Sequence, residues 1–132
     1  MTRFNISLID GVRLVFYALE NSIGGELFVP KIPSYKILDV ANAIGPDCDK
    51  PIVGVRPGEK IHEEMITSSD SFNTYDIGKY YVILPEDKGI KAKFEKENDF
   101  TKVPLNFSYN SRDNEEWETV ESLKEKIKNL DF

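Results

Sequence analysis

The feature that most constrains this chain is a short apolar run ending in a stiff, charged turn: Pro51-Ile-Val-Gly-Val55, then Arg56-Pro57-Gly58-Glu59-Lys60 and Ile61-His62-Glu63-Glu64. The run predicts a short buried strand, and the turn after it throws charge out at the strand's C-terminal end, where ligands sit in open α/β sheets. Pro57 and Gly58 stiffen and sharpen the turn, so Arg56 and Glu59 are expected to project to one side. Arg56 offers a planar fork of donors for two phosphate or carboxylate oxygens, whereas Lys60 acts only as a point charge. The competing reading is a surface turn whose Arg56 and Glu59 pair with each other, an arrangement that is common and worth little.

The segments around this run alternate in type. Ser7 is placed to cap a helix, with Asp10 in the first turn and Leu8, Val12, Val15, Phe16 and Leu19 at helical spacing, and Gly24 or Gly25 stops it. Glu26–Pro30 is strand-like and Lys31-Ile32-Pro33 a rigid connector. Ser34 is expected to cap a second helix bearing Ile37, Leu38, Ala41 and Ile44, closed by Gly45-Pro46. Ile61–Ile66 reads as a short helix, Tyr80–Leu84 as a strand, and the charged stretch 86–102 as an exposed loop. Thr119 caps a last helix with Val120, Leu123, Ile127 and Leu130 on one face. Alternating helices and strands in 132 residues predict a single α/β domain, with residues 1–112 as its body and 113–132 as a closing helix.

Several functions are disfavoured. A net charge of −6, from 17 basic and 23 acidic residues, argues against nucleic acid, whose backbone needs clustered Lys and Arg. The lone Cys48 and lone His62 leave no disulfide framework and no Cys/His zinc site. No apolar run is long enough to span a membrane and the N-terminus has no signal-peptide core, so the expected location is the cytoplasm. Tyr75-Asp-Ile-Gly-Lys79 spells the Tyr-x-x-x-Lys of short-chain dehydrogenases, but Gly78 breaks the helix that this pair must share. Gly54–Lys60 lacks the Lys-Ser/Thr of a phosphate loop, and no Gly-x-Gly-x-x-Gly occurs. His62, on a short charged segment, reads as a surface or supporting residue.

Three stretches carry a family likeness: Met1-Thr2-Arg3-Phe4-Asn5-Ile6-Ser7, Gly25-Glu26-Leu27-Phe28-Val29-Pro30-Lys31-Ile32-Pro33-Ser34, and Gly54 through Glu63. Together they resemble the C-terminal part of the inverting UDP-N-acetylglucosamine 4,6-dehydratases, extended short-chain dehydrogenase/reductases that begin pseudaminic-acid biosynthesis in bacteria. The likeness runs over residues 1–85 and resumes at Phe107–Ser111 and the closing helix. Arg-Pro-Gly-Glu-Lys alone is shared with other nucleotide-sugar dehydratases and epimerases, while Phe28–Ser34 narrows the choice.

The resemblance implies a C-terminal substrate-binding lobe without its N-terminal Rossmann half. It implies that Arg3 and Arg56 hold the nucleotide-sugar pyrophosphate and that Glu59 lies near the ribose. Tyr109 and Asn110 are further candidates for the sugar or uracil pocket, although the favoured reading of Tyr109 is a core aromatic ahead of the last helix. It implies no catalytic residue and no cofactor in this chain: NADP, the catalytic Tyr and Lys and the eliminating acid belong upstream in the full-length family. The implied partners are a UDP-sugar, a separate Rossmann-half polypeptide, and further copies in an oligomer. A truncated or split enzyme, a stand-alone nucleotide-sugar binding module, and a lobe of another nucleotide-sugar dehydratase or epimerase are the three forms this takes.

Overall fold

The computed structural model describes residues 1–129; the expected apolar position Leu130 lies outside them. In chain order the elements are β1 (Thr2–Phe4), α1 (Leu8–Asn21), β2 (Leu27–Pro30), β3 (Ser34–Lys36), α2 (Ile37–Ile44), β4 (Glu64–Ile66), a 3-10 turn (Asp70–Asn73), β5 (Thr74–Asp76), β6 (Tyr80–Ile83), α3 (Lys88–Glu97), β7 (Thr101–Lys102), β8 (Tyr109–Asn110) and α4 (Val120–Lys128). The α/β class holds. Antiparallel pairing joins β1 with β3, and β2, β6, β5 and β7 in that order. The chain divides into two compact units, each assembled from separate stretches.

Among the described residues, the first unit comprises Met1–Asn5, Ile32–Glu63 and 110–129. Its centre is the β1–β3 ladder, with Thr2 opposite Lys36, Arg3 opposite Tyr35 and Phe4 opposite Ser34. Ser34 is fully buried; its N–H donates to the Glu116 carbonyl, its own carbonyl accepts from the Glu118 N–H, and Asn114 Nδ2 donates to its hydroxyl. Those bonds explain why Ser34 does not cap α2 as expected. It is consumed as a strand residue, and Lys36 takes the cap position without a side-chain bond.

Helix α4 packs against α2 and starts as read from the sequence: Thr119 accepts from the Ser122 N–H, and the Ser122 hydroxyl accepts from the Thr119 N–H, a reciprocal capping box. Just before it, buried Glu118 accepts from Asn5 Nδ2, Ser122 Oγ and Lys126 Nζ.

The second unit comprises Ile6–Lys31 and Glu64–Tyr109. Ser7 caps α1 by accepting the Asp10 N–H, as expected. The residues α1 turns toward its own unit are the half-buried Leu14, Tyr17 and Ala18 rather than the stripe legible in the sequence. Tyr17 meets Phe28 of β2 edge-on at 5.6 Å and Tyr80 of β6 at 4.6 Å. Leu8, Val12, Val15, Phe16 and Leu19 lie exposed on the other side. Glu26 closes the α1–β2 connection by accepting from the N–H groups of Ile23 and Gly24 and from the Ser22 hydroxyl. Gly25 turns there at φ 82°, a conformation that side chains disfavour.

Three further expectations are corrected. Residues 86–102 are not a loop: Asp87 accepts from the Gly89 and Ile90 N–H groups and starts α3, whose Phe94 is 3% exposed against Tyr75, Val82 and Leu84. The charges of that stretch are the solvent face of a helix held by Phe94. Pro51–Val55 forms no strand; Ile52 and Val53 are 98% and 92% exposed, because no strand among the described residues pairs with them. Ile61–Ile66 is not a helix either. Glu63 exchanges two backbone-directed bonds with Ser111, and Glu64–Ile66 continues as β4, paired with β8.

Phe94→Ala should lower the unfolding free energy by about 3–5 kcal/mol, the cost of emptying a buried aromatic site, read from the denaturant midpoint at unchanged slope. Glu118 gives a pH test. Burial raises its carboxyl, but the bonds from Lys126, Ser122 and Asn5 outweigh that and hold it below its ordinary value. Its contribution is therefore complete above the unfolded-state value of about 4.3 and disappears as pH falls through the lower folded value. Glu118→Gln should flatten that part of the stability profile, and at neutral pH should cost roughly 1.5–3 kcal/mol.

Candidate functional site

The charged turn and β1 come together in the first unit. Glu59 N–H donates to the Arg56 carbonyl at 3.0 Å, Pro57 holds the second position and Gly58 takes φ 80° at the third, as a type II turn requires. This folds Glu59 back over Arg56. Its Oε2 accepts from Arg56 Nε at 3.3 Å and from the Arg56 N–H at 3.4 Å. Its Oε1 lies 3.7 Å from Arg3 Nη2. One carboxylate thus bridges two arginines that are 53 positions apart in the sequence, the difference between residues 56 and 3.

The two arginines differ in freedom. Arg3 is 19% exposed: Nη1 donates to the carbonyls of Thr2 at 2.7 Å and Ile61 at 3.4 Å, and Nε lies 3.6 Å from Glu63 Oε1. Arg56 is 86% exposed. One guanidinium is held on several sides by its neighbours, and the other stands mostly in solvent with Glu59 as its partner. The bond from the Arg56 guanidinium, then that from its backbone N–H, hold the Glu59 carboxyl below its ordinary value, with the Arg56 and Arg3 charges adding to them. Glu59 is ionised throughout the neutral range.

Alternation along β1 explains Arg3's position. Thr2 and Phe4 share one face and Arg3 the other. Thr2 is buried, and its hydroxyl is 2.8 Å from His62 Nδ1 and 2.7 Å from Ser111 Oγ. Ser111 Oγ accepts from the Glu63 N–H at 2.8 Å, while Glu63 Oε2 accepts from the Phe4 N–H at 2.8 Å. His62 is the supporting residue that its context suggested, and Thr2, Glu63 and Ser111 are support the sequence reading missed. Their signal was adjacency: Thr2 flanks Arg3, and Glu63 lies within the motif.

The other candidates are placed differently. Asn110 Oδ1 accepts from the N–H groups of Arg112 and Asp113, and its Nδ2 donates to Asp113 Oδ2, so the side chain shapes a turn. Tyr109 belongs to the second unit, where it is buried with its ring 5.3 Å from Tyr81, the core role weighed for it. Lys60 is exposed. Tyr75 sits buried in β5 with its hydroxyl donating to Glu95 at 3.3 Å; burial, then the Glu95 charge and bond, push its phenol up. Tyr75 and Lys79 share no helix. No cluster of three metal-ligating side chains occurs among the described residues, and none of their helices is long and apolar enough to cross a membrane.

The model of a family described as polysaccharide biosynthesis protein matches residues 1–85, both site segments included. The chain belongs to that family. It is 46% identical over 136 residues to the UDP-N-acetylglucosamine 4,6-dehydratase (inverting) of Campylobacter jejuni serotype O:2, covering 96% of this chain and 40% of that relative. It is 36% identical over 137 residues to the UDP-glucose 4-epimerase of Rickettsia felis, covering all of this chain and 40% of that one. The chain therefore spans about two fifths of the length of these relatives, in line with the partial lobe that the sequence resembles. The X-ray structure of Pen from Bacillus thuringiensis shares the fold, with a TM-score of 0.76 at 22% identity over 98% of this chain and 38% of that one.

Ser111→Ala should remove the bonds to Thr2 and Glu63 together and cost about 1–3 kcal/mol, because both partners stay behind without their acceptor or donor. Thermal or denaturant unfolding checks it, with loss of the Thr2–His62 register visible as shifted His62 ring resonances.

Proposed function

We propose that this chain is the nucleotide-sugar-binding portion of a UDP-N-acetylglucosamine 4,6-dehydratase, with Arg3 and Arg56 as the clamp on the ligand's pyrophosphate. The observation that carries the reading is the convergence of both guanidinium groups on a single anionic group, Glu59. A part-buried arginine and an exposed one can take a diphosphate from two sides with charge-assisted bonds, which lysines cannot do bidentately. Glu59 then supplies an acceptor for ribose hydroxyls, and Asn110, in the same unit, is a candidate for the far end of the ligand. The relatives named as 4,6-dehydratases support this over an epimerase, at 46% and 44% identity against 36% and 34% for UDP-glucose 4-epimerases of two Rickettsia species. The Phe28–Ser34 run supports it too.

On this reading the chain positions substrate and does not turn it over. Its residues do not fit a dinucleotide: the sequence has no glycine-rich dinucleotide turn, and Tyr75 is locked in a strand against Glu95. NADP, in the complete enzyme, would supply oxidation at C4 and hydride return; the residues here bind and orient the nucleotide end. Binding without a hydride acceptor or base yields no reaction. The Rossmann half is then a further stretch or a separate polypeptide, the complete enzyme is an oligomer, and the setting is the bacterial cytoplasm.

Arg56→Ala should weaken UDP binding by roughly 1.5–3 kcal/mol and Lys60→Ala by clearly less, measured by calorimetry or NMR titration of the whole chain. Equal losses would mean diffuse attraction and no clamp.

A further inference from the structure

Glu59 does more than sit near the arginines. Every other nitrogen of the Arg3 guanidinium faces a carbonyl or Glu63, so the Nη2 edge is what Arg3 has to offer a ligand, and Glu59 faces it. The same carboxylate takes Arg56 Nε with its second oxygen. We propose that Glu59 is a tethered internal anion that sets the selectivity of the arginine pair, yielding to a diphosphate and holding against a single phosphate or carboxylate.

The distances carry the argument. The two contacts are 3.7 and 3.3 Å, longer than the ~2.7–2.9 Å of a well-made charge-assisted bond, so one carboxylate spans both arginines only loosely. A ligand with one anionic group meets the same span and gains little over Glu59. Glu59 is also held three residues from Arg56 across a Pro-Gly turn, and a short tether corresponds to an effective concentration in the ~mM range that a free monoanion must exceed. A diphosphate carries two phosphoryl groups. Each can meet its own guanidinium at full bond length, and Arg56, the exposed partner, is free to follow.

This rests on the clamp reading above, and the test separates the two. The whole chain and its Glu59→Gln variant are titrated with orthophosphate, UMP, inorganic pyrophosphate and UDP, with Arg3→Ala and Arg56→Ala as companions; Glu59→Ala repeats the measurement with the side chain removed. Loss of the internal anion should strengthen orthophosphate and UMP binding about 2- to 5-fold, the strength of an exposed ion pair, and pyrophosphate binding less. The UDP-over-UMP preference should shrink accordingly. Pyrophosphate and orthophosphate carry no ribose, so their response isolates charge competition from hydroxyl recognition. If UDP binding needs both arginines while Glu59→Gln leaves the UDP-over-UMP ratio unchanged, or weakens orthophosphate and pyrophosphate, the selectivity role is overturned and the clamp stands. If neither arginine matters to UDP, or nothing binds, both fall.

Discussion

The β1–β3 pairing is the constraint on which the candidate site depends. Three residues of β1 set Arg3 opposite Tyr35, and the pairing is locked by Ser34, which contributes its N–H, carbonyl and hydroxyl to three different bonds while fully buried. A strand of three residues has too few ladder bonds to hold a guanidinium in place by itself. Here the register is reinforced from the far end of the sequence, through Asn114, Glu116 and Glu118. The buried Ser34 hydroxyl suits this role because Asn114 satisfies it, and a buried hydroxyl without a partner would be penalised. The position of Arg3 is therefore a consequence of residues about 110 positions later in the sequence.

Two apolar surfaces are unmatched by anything within their own units. In the second unit, α1 presents Leu8, Val12, Val15, Phe16 and Leu19 to solvent while its Leu14–Tyr17–Ala18 side meets the sheet. In the first, Ile52 and Val53 stand exposed in an irregular segment without a ladder partner among the described residues. Both lie in a chain that spans about two fifths of its relatives' length. The composition, 40% hydrophobic in 132 residues, was enough for a fuller core than the ten buried apolar side chains that the structure describes.

Local signals were legible and non-local ones were not. Ser7, Thr119, Gly45 and the Pro57-Gly58 turn carry their structure in their own neighbourhoods, and each takes the expected place. Ser34 spells a cap as readily as a strand, and only its partners near residue 116 decide between them. The apolar run at Pro51–Val55 has every local property of a strand; pairing is a property of a neighbour that the run does not contain. The opposite error occurred in α3, where ten mostly charged residues hid one Asp87 cap and one Ile90–Phe94 pair at i, i+4. Arg56 and Glu59 were legible because a rigid turn joins them. Thr2, Glu63 and Ser111 were not, since their meeting requires the chain to have folded.

Arg56 does pair with Glu59, as an ordinary surface turn would have them do. It does not thereby count against a binding role. With Arg56 mostly in solvent, the pair adds little to stability, and a stabilising function would have been better served by burying it or leaving it out. What distinguishes this pair from an ordinary surface contact is the third member: a nearly enclosed Arg3, committed on its other sides, whose free edge points at the same carboxylate. Two like charges converging on one anion repel each other whenever that anion leaves. The arrangement therefore resists standing empty, and an incoming ligand must bring at least the negative charge that it displaces.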